Sequence, residues 1–228
     1  MVEAMRDEDL PRQLPSRADF QTLLEGLIER RVGFTVSTSV EDLLRRTEAL
    51  LEGHFVLTSG LHSSRYIQCA RLLQYPQHAA AVGGWLADRF QEQAADAVIS
   101  PALGGLIIGH ETARALGVRA LFGERENGVM TLRRGFALQP AERVVIVEDV
   151  TTTGGSVREL MRLVQELEGT ALGVGAILDR SGGQVDLGVP LHALLTMPMP
   201  IYQPEACPLC QQGSAPVKPG SRQRGAEG

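Results

Sequence analysis

The densest set of groups able to do chemistry lies in V-V-I-V-E-D-V-T-T-T-G-G-S, residues 144 to 156. Four apolar residues predict a buried strand, Val144 to Val147, and two carboxylates, Glu148 and Asp149, follow it directly. Thr151, Thr152, Thr153, Gly154, Gly155 and Ser156 then form a small, hydroxyl-rich turn that runs into a helix. In a parallel α/β sheet ligands bind at the carboxyl ends of the strands. Backbone N–H groups and a helix N-terminus at such a place make an anion cradle of phosphate size, and glycines let the backbone approach the anion closely. Two acids beside a phosphate would repel it unless they hold ribose hydroxyls or a hard cation that the ligand shares. Mg²⁺ suits that role because it takes one or two carboxylates plus phosphate oxygens. A sugar phosphate satisfies the whole set. The plain alternative is a polar turn before a capped helix, with no ligand at all.

The elements around this stretch must position it. Apolar spacing predicts a helix over Phe20 to Ile28 and a second that starts after Thr38 or Ser39, carries Leu43, Leu44, Leu50 and Leu51 on its apolar face, and stops at Gly53. Strands are expected at 97–99, 119–122, 129–132, 174–177 and 191–195, with a helix over Ile107 to Leu116. A helix opening at Ser156 is expected to be capped by a Ser156–Glu159 box and to end at Gly169. Strands alternating with helices give an α/β fold with a mainly parallel sheet flanked by helices. Three regions are expected: an N-terminal extension over 1–35, a body over 36–202, and an irregular tail over 203–228 rich in Pro, Gly and Ser.

Composition narrows the class. The 228 residues are 43% hydrophobic and 21% charged, ordinary for a globular chain large enough for a sizeable core. A net charge of -5 and the absence of an aromatic stacking platform argue against nucleic acid. No apolar run is long enough to span a bilayer. Three cysteines are too few for a disulfide framework, and the expected setting is cytoplasmic and reducing. Lys218 is the only lysine among 22 basic residues, so no lysine of the body serves as acid, base or phosphate clamp.

The 144–156 stretch resembles the phosphoribosyl-pyrophosphate signature of type I phosphoribosyltransferases, and four further stretches resemble orotate phosphoribosyltransferases in particular. G-H-F-V-L-T-S-G-L-H-S-S-R-Y (53–66) is similar to the family's N-terminal orotate-pocket segment, S-P-A-L-G-G-L-I-I-G (100–109) to its pyrophosphate loop, and I-L-D-R-S-G-G (177–183) to the segment whose arginine meets the orotate carboxylate. L-F-G-E-R-E-N-G-V-M-T-L-R-R-G-F (121–136) stands where the family has a flexible catalytic loop. The resemblance covers residues 39 to 200. It implies a small N-terminal hood on the sheet and a homodimer. It implies 5-phosphoribosyl-1-pyrophosphate and orotate as substrates, with Mg²⁺ held mainly through the donor and also by Asp149. Orotidine 5′-monophosphate and pyrophosphate are the implied products. Glu148 and Asp149 would hold the ribose diol, and residues 151 to 156 the 5-phosphate. Leu103, Gly104 and Gly105 would face pyrophosphate. Thr58, Ser59, Tyr66, Thr152 and Arg180 would face orotate, Arg180 as a bidentate fork for its carboxylate.

The chain departs from the family in two places. Thr58 stands where the family commonly has a lysine, and the catalytic segment carries Arg125, Arg133 and Arg134 in place of lysines and a histidine. Arginine neutralises a departing pyrophosphate but cannot shuttle a proton at neutral pH, so no residue is assigned as general acid. Two rivals follow: a transferase for another base, and a regulator that keeps the donor site without catalysis.

Cys207 and Cys210 form a C-x-x-C in the tail, read as a zinc half-site or a plain turn. His192 and Cys69 are the completers considered; a zinc-dependent interaction module built on the tail is a third rival. The five histidines show no ligand spacing, and His62 is read as a binder near the orotate segment.

Overall fold

In the computed structural model of the chain, residues 39–57 and 59–219 are described. The helix expected over Phe20 to Ile28, the 1–35 extension and the side chain of Thr58 lie outside them.

One helix precedes the first hairpin and two follow it. Helix α1 (Val40–Arg46) begins in the expected capping box: Ser39 Oγ accepts from the Asp42 amide, and the Asp42 carboxylate accepts from the Ser39 amide, each at 3.1 Å. It ends seven residues earlier than Gly53. Glu48 takes a left-handed backbone conformation, and Leu50 and Leu51 enter strand β1 (Leu50–Val56), opposite Ile67 and Tyr66 of β2 (His62–Ile67). Helical spacing in those leucines was outweighed by pairing in an antiparallel hairpin. Helices α2 (Cys69–Leu73) and α3 (Pro76–Ala87) follow.

The main sheet holds β3 (Ala97–Pro101), β4 (Arg119–Glu126), β5 (Val129–Leu132), β6 (Arg143–Thr151), β7 (Thr170–Asp179) and β8 (Leu191–Thr196), in the order β5-β4-β3-β6-β7-β8. All neighbours are parallel except β4 and β5. Helix α4 (Gly105–Leu116) links β3 to β4, and α5 (Gly155–Glu166) links β6 to β7. Alternation along β6 shows why its run is continuously apolar. Val145 and Val147 pack into the core shared with α1 to α4, while Val144 and Ile146 pack against Val157, Leu160 and Val164 of α5. Each such buried side chain contributes ~1.5–3 kcal/mol relative to exposure.

The chain leaves β3 towards β4 on one side and leaves β6 towards β7 on the other. A crevice therefore opens beyond the carboxyl ends of β3 and β6, where connections diverge.

The tail has only short elements, a 3-10 turn at Pro204–Ala206 and the one-turn helix α6 (Pro208–Gln211). Tyr202 pairs with His62 and Val217 with Phe55, so the tail runs along both edges of the first hairpin. No helix among the described residues is long and apolar enough to cross a membrane.

Candidate active site

Two loops meet at the crevice. The turn after β3 carries Leu103 and Gly104, with Gly105 opening α4; the turn after β6 carries Thr152, Thr153 and Gly154. Leu103 is 82% exposed, standing free at the rim. Gly104 and Gly105 have no room for a side chain: a Cβ at Gly104 would lie 2.8 Å from both Asp149 carboxylate oxygens, and one at Gly105 would lie 2.8 Å from Pro101. The stretches assigned to pyrophosphate and to the two acids are thus packed against each other.

β6 is longer than its apolar core. Pairing with β7 continues through Val150 and Thr151, so Glu148 and Asp149 lie within the strand and not beyond its end. Successive strand residues face opposite ways. Asp149 turns to the Gly104 turn, while Glu148 lines a polar cavity of about 270 Å³ together with Arg125 and residues 150 to 157. Glu148 is 7% exposed. Burial, then the adjacent Asp149 charge, push its carboxyl up to about 9. A site that resists holding two negative charges unaided fits a cation or hydroxyl donors as its occupant.

The phosphate cradle is built from backbone. Gly154 is left-handed (φ 74°) at the N-cap of α5, and a Cβ there would lie 2.8 Å from Leu187, so both the turn and its packing require glycine. The expected Ser156–Glu159 capping box does not form, because α5 starts at Gly155 and Ser156 is already inside it. Ser156 instead acts on Glu148, opposing the rise of its pKa, and Glu159 pairs with Arg125. The Thr151 hydroxyl is buried without a partner. Arg158, which spacing alone did not single out, braces the loop from behind: its guanidinium donates to the Thr153 carbonyl and, at 2.6 Å, to the Asp186 carbonyl.

Arg180 follows β7 at the same edge, its amide donating to the Thr151 carbonyl at 2.8 Å. Neither neighbouring acid neutralises it. Asp179 accepts from the Ser181 and Gly183 amides, and Asp186 from the Gly188 amide. Arg180 Nε and one Nη are buried without any partner. Burial pushes its pKa down, with Tyr66 opposing that shift. Tyr66 of the first hairpin is therefore close to Arg180, while Ser59 sits in the exposed turn between β1 and β2.

Residues 68–187 match the family model of the phosphoribosyl transferase domain. A relative in Desulforamulus reducens named orotate phosphoribosyltransferase is 55% identical over 182 residues, which is 80% of this chain and 95% of that protein. One in Pelotomaculum thermopropionicum with the same name is 57% identical, over 79% of this chain and 95% of that protein. The chain belongs to the orotate phosphoribosyltransferase family. The crystal structure of orotate phosphoribosyltransferase from Aeropyrum pernix superposes with a TM-score of 0.59 at 28% identity, covering 68% of this chain and 91% of that one. An adenine phosphoribosyltransferase from Rhodothermus marinus shares the fold, with a TM-score of 0.54 at 20% identity over 68% of this chain and 98% of that one.

In this orotate phosphoribosyltransferase family member the segment over 121–136 is a hairpin. β4 continues to Glu126, and Asn127 and Gly128, both left-handed, make the two-residue turn into β5. Asn-Gly between strands is a strong hairpin signal, but the expected strand ended at 122 and the segment was read as standing in place of a loop, so the four further strand residues to Glu126 are a correction. Each of its arginines is engaged. Arg125 makes a bidentate pair with Glu159, both contacts at 3.0 Å. Arg134 pairs with Glu124 at 3.0 Å and Arg133 with Glu126 at 3.3 Å. Only Arg125 lines the phosphate-loop cavity.

The tail cysteines do not meet the completers considered for them. His192 packs edge-on against Phe90, and Cys69 is buried at the start of α2, its thiol pushed well up by burial and by the nearby acids. Cys207 and Cys210 lie instead beside His54 and His62. His62 thus faces the cysteines and not the pocket.

Proposed function

We propose that this chain transfers the phosphoribosyl group of 5-phosphoribosyl-1-pyrophosphate to orotate, giving orotidine 5′-monophosphate and pyrophosphate, a step of pyrimidine biosynthesis. One observation carries the choice of acceptor: two guanidinium nitrogens of the partly exposed Arg180, beside the phosphate loop, are buried without a partner. An arginine kept unpaired in a crevice is costly unless a ligand anion completes it, and orotate brings a planar carboxylate. A purine base has none.

In this reading the 151–156 loop holds the 5-phosphate through backbone amides, with the Thr151 hydroxyl as a further donor and Arg158 keeping the loop in shape. Glu148 holds the ribose diol and, once ionised, stabilises positive charge growing at C1, which has oxocarbenium character as in glycoside cleavage. Asp149 and the Gly104 turn lie where the departing pyrophosphate must sit. Mg²⁺ bound with the donor would neutralise charge there, and Asp149 would hold it. Arg125, Arg133 and Arg134 of the hairpin trade partly exposed carboxylate partners for pyrophosphate. Those pairs are worth little in water, about 0–1 kcal/mol, so the exchange is easy. Arg180 and Tyr66 hold orotate in line with C1, and orientation supplies much of the rate. No protein nucleophile is needed. A homodimer and a cytoplasmic setting belong to the same reading; sedimentation of the purified protein tests the first.

The direct test follows orotate absorbance with purified protein, donor and Mg²⁺, with and without EDTA. Mg²⁺-dependent loss of orotate with release of pyrophosphate supports the assignment. Donor binding without orotate turnover would overturn it, and a panel of other bases would follow.

A further inference from the structure

Outside the active site, two histidines and two cysteines far apart in sequence converge on one point. His54 Nε2 lies 2.9 Å from His62 Nδ1, 3.4 Å from Cys207 Sγ and 3.7 Å from Cys210 Sγ, and Cys210 Sγ lies 3.4 Å from His62 Nδ1. All four ligand atoms fall within 4.8 Å of one another. His54, His62 and Cys207 are buried, and Cys210 is partly buried.

We propose that His54, His62, Cys207 and Cys210 form a structural zinc site that fastens the C-terminal tail to the β1–β2 hairpin and so fixes the turn that leads into the orotate pocket.

Hydrogen bonding alone does not account for the cluster. His54 Nδ1 lies 2.9 Å from the Ser214 carbonyl, which can only accept, so that nitrogen carries the proton and Nε2 is a bare lone pair. Three atoms approach that one lone pair. A ligating histidine whose other nitrogen donates to a carbonyl is the usual outer-sphere arrangement of a metal site. Zn–N near 2.0–2.1 Å and Zn–S near 2.3 Å in a tetrahedron place ligand atoms roughly 3.3–3.8 Å apart. Three of the four nitrogen–sulfur separations fall in that span; the nitrogen–nitrogen one needs to open by a few tenths of an ångström, and the widest pair of the four, at 4.8 Å, needs to close by about 1 Å around the ion. Two nitrogens and two sulfurs in a closed tetrahedron select zinc and leave no open position for chemistry.

The backbone is shaped to bring the four together. Continuing the Glu52–Arg65 register would pair His54 with Ser63 and set the two histidines on opposite faces of the hairpin. The irregularity between Glu52 and Phe55 pairs Phe55 with Ser63 instead, which returns His54 to the face of His62. The tail supplies the other pair from one helical turn, Cys207 preceding α6 and Cys210 within it. Bridges hold the tail on either side: Tyr202 and His62 exchange both amide bonds, and Val217 bonds Val56 and His54.

The tail has little else to keep it folded. From residue 200 to 219, Cys207 is the one side chain that is fully buried. A segment without an apolar core needs a staple, and metal binding supplies folding free energy directly. Both histidines bracket the turn that carries Ser59. Zinc therefore anchors that turn at both ends. The effect on orotate rests on the function proposed above; the metal does not.

The full-length protein, purified from zinc-supplemented cells without chelator, is assayed for metals by plasma mass spectrometry. About one zinc per chain is expected for a single four-ligand site, with most of it lost in Cys207→Ser and Cys210→Ser. Protein stripped and reloaded with Co²⁺ should show thiolate-to-cobalt charge-transfer absorption, which decides the matter even where a serine variant fails to fold. In the stripped protein, protease cuts the tail first, and KM for orotate rises severalfold while kcat changes little. Absence of zinc and of the cobalt band, with a tail that resists protease in EDTA, would overturn the site, as would iron in its place. Zinc present in a protein that turns over no orotate would instead overturn the proposed function and leave the site standing.

Discussion

The backbone of Gly104 presses against the carboxylate of Asp149, so closely that a Cβ at residue 104 would stand 2.8 Å from both carboxylate oxygens. Gly104→Ala is therefore expected to push Asp149 aside without disturbing the sheet behind it. A displacement near 1 Å at a positioning group costs on the order of 10²-fold in rate. kcat/KM for the donor should fall by about that factor with Tm nearly unchanged. Full activity in Gly104→Ala would mean that the contact between the two loops is incidental.

Arg180 separates stability from function. Its buried nitrogens have no partner in the free protein, so their burial costs free energy until a ligand arrives. Arg180→Met keeps the bulk and removes the charge. Orotate use should drop by ~10–10²-fold, the scale for losing a hydrogen bond to a charged group, while donor binding measured by calorimetry stays the same. The Tm of the ligand-free variant should rise by a few degrees. A lowered Tm together with normal orotate turnover would remove Arg180 from the pocket.

Glu148 gives a pH signature whose sign is fixed. Burial and the Asp149 charge raise its carboxyl from 4.5 to about 9. The folded protein therefore holds this proton more tightly than the unfolded chain does. The resulting stability is fully present below pH 4.5 and is lost as pH rises through about 9. Wild type should lose more Tm between pH 6 and 8.5 than Glu148→Gln does. Donor and Mg²⁺ favour the ionised carboxylate, so adding them should narrow the gap and release protons. Parallel Tm profiles for the two proteins would contradict the shift.

The parts read correctly from sequence are those where local pattern and fold agree. The apolar run Val144 to Val147 sits in the middle of the sheet, and Gly154 after it is needed for backbone shape, while Gly155 has room for a Cβ. Boundaries failed where pairing overrode spacing: Leu50 and Leu51 keep a helical interval after Leu43 and Leu44 yet join β1 because Ile67 and Tyr66 lie opposite. The Ser156–Glu159 pair has capping spacing, but the loop uses a left-handed Gly154 as cap and spends Glu159 on Arg125. The partners of Cys207 were illegible for a different reason. His54 is 153 positions away, and only the tail's path along the hairpin brings them together.

Arg125 is the hairpin arginine whose place is most specific. It lines the phosphate-loop cavity, and its pair with Glu159 is half-exposed. An exposed pair stabilises by about 0–1 kcal/mol, so Arg125→Ala should leave Tm almost where it was. If the guanidinium moves onto pyrophosphate as the bond breaks, kcat should fall by ~10²–10³, the range for removing one preorganised donor to developing charge, with KM for the donor little changed. Glu159→Gln breaks the resting pair while keeping the arginine, so it should preserve or raise kcat. A loss of activity in Glu159→Gln equal to that in Arg125→Ala would show that the pair itself shapes the site, and that Arg125 acts by holding α5 in place and not by meeting pyrophosphate.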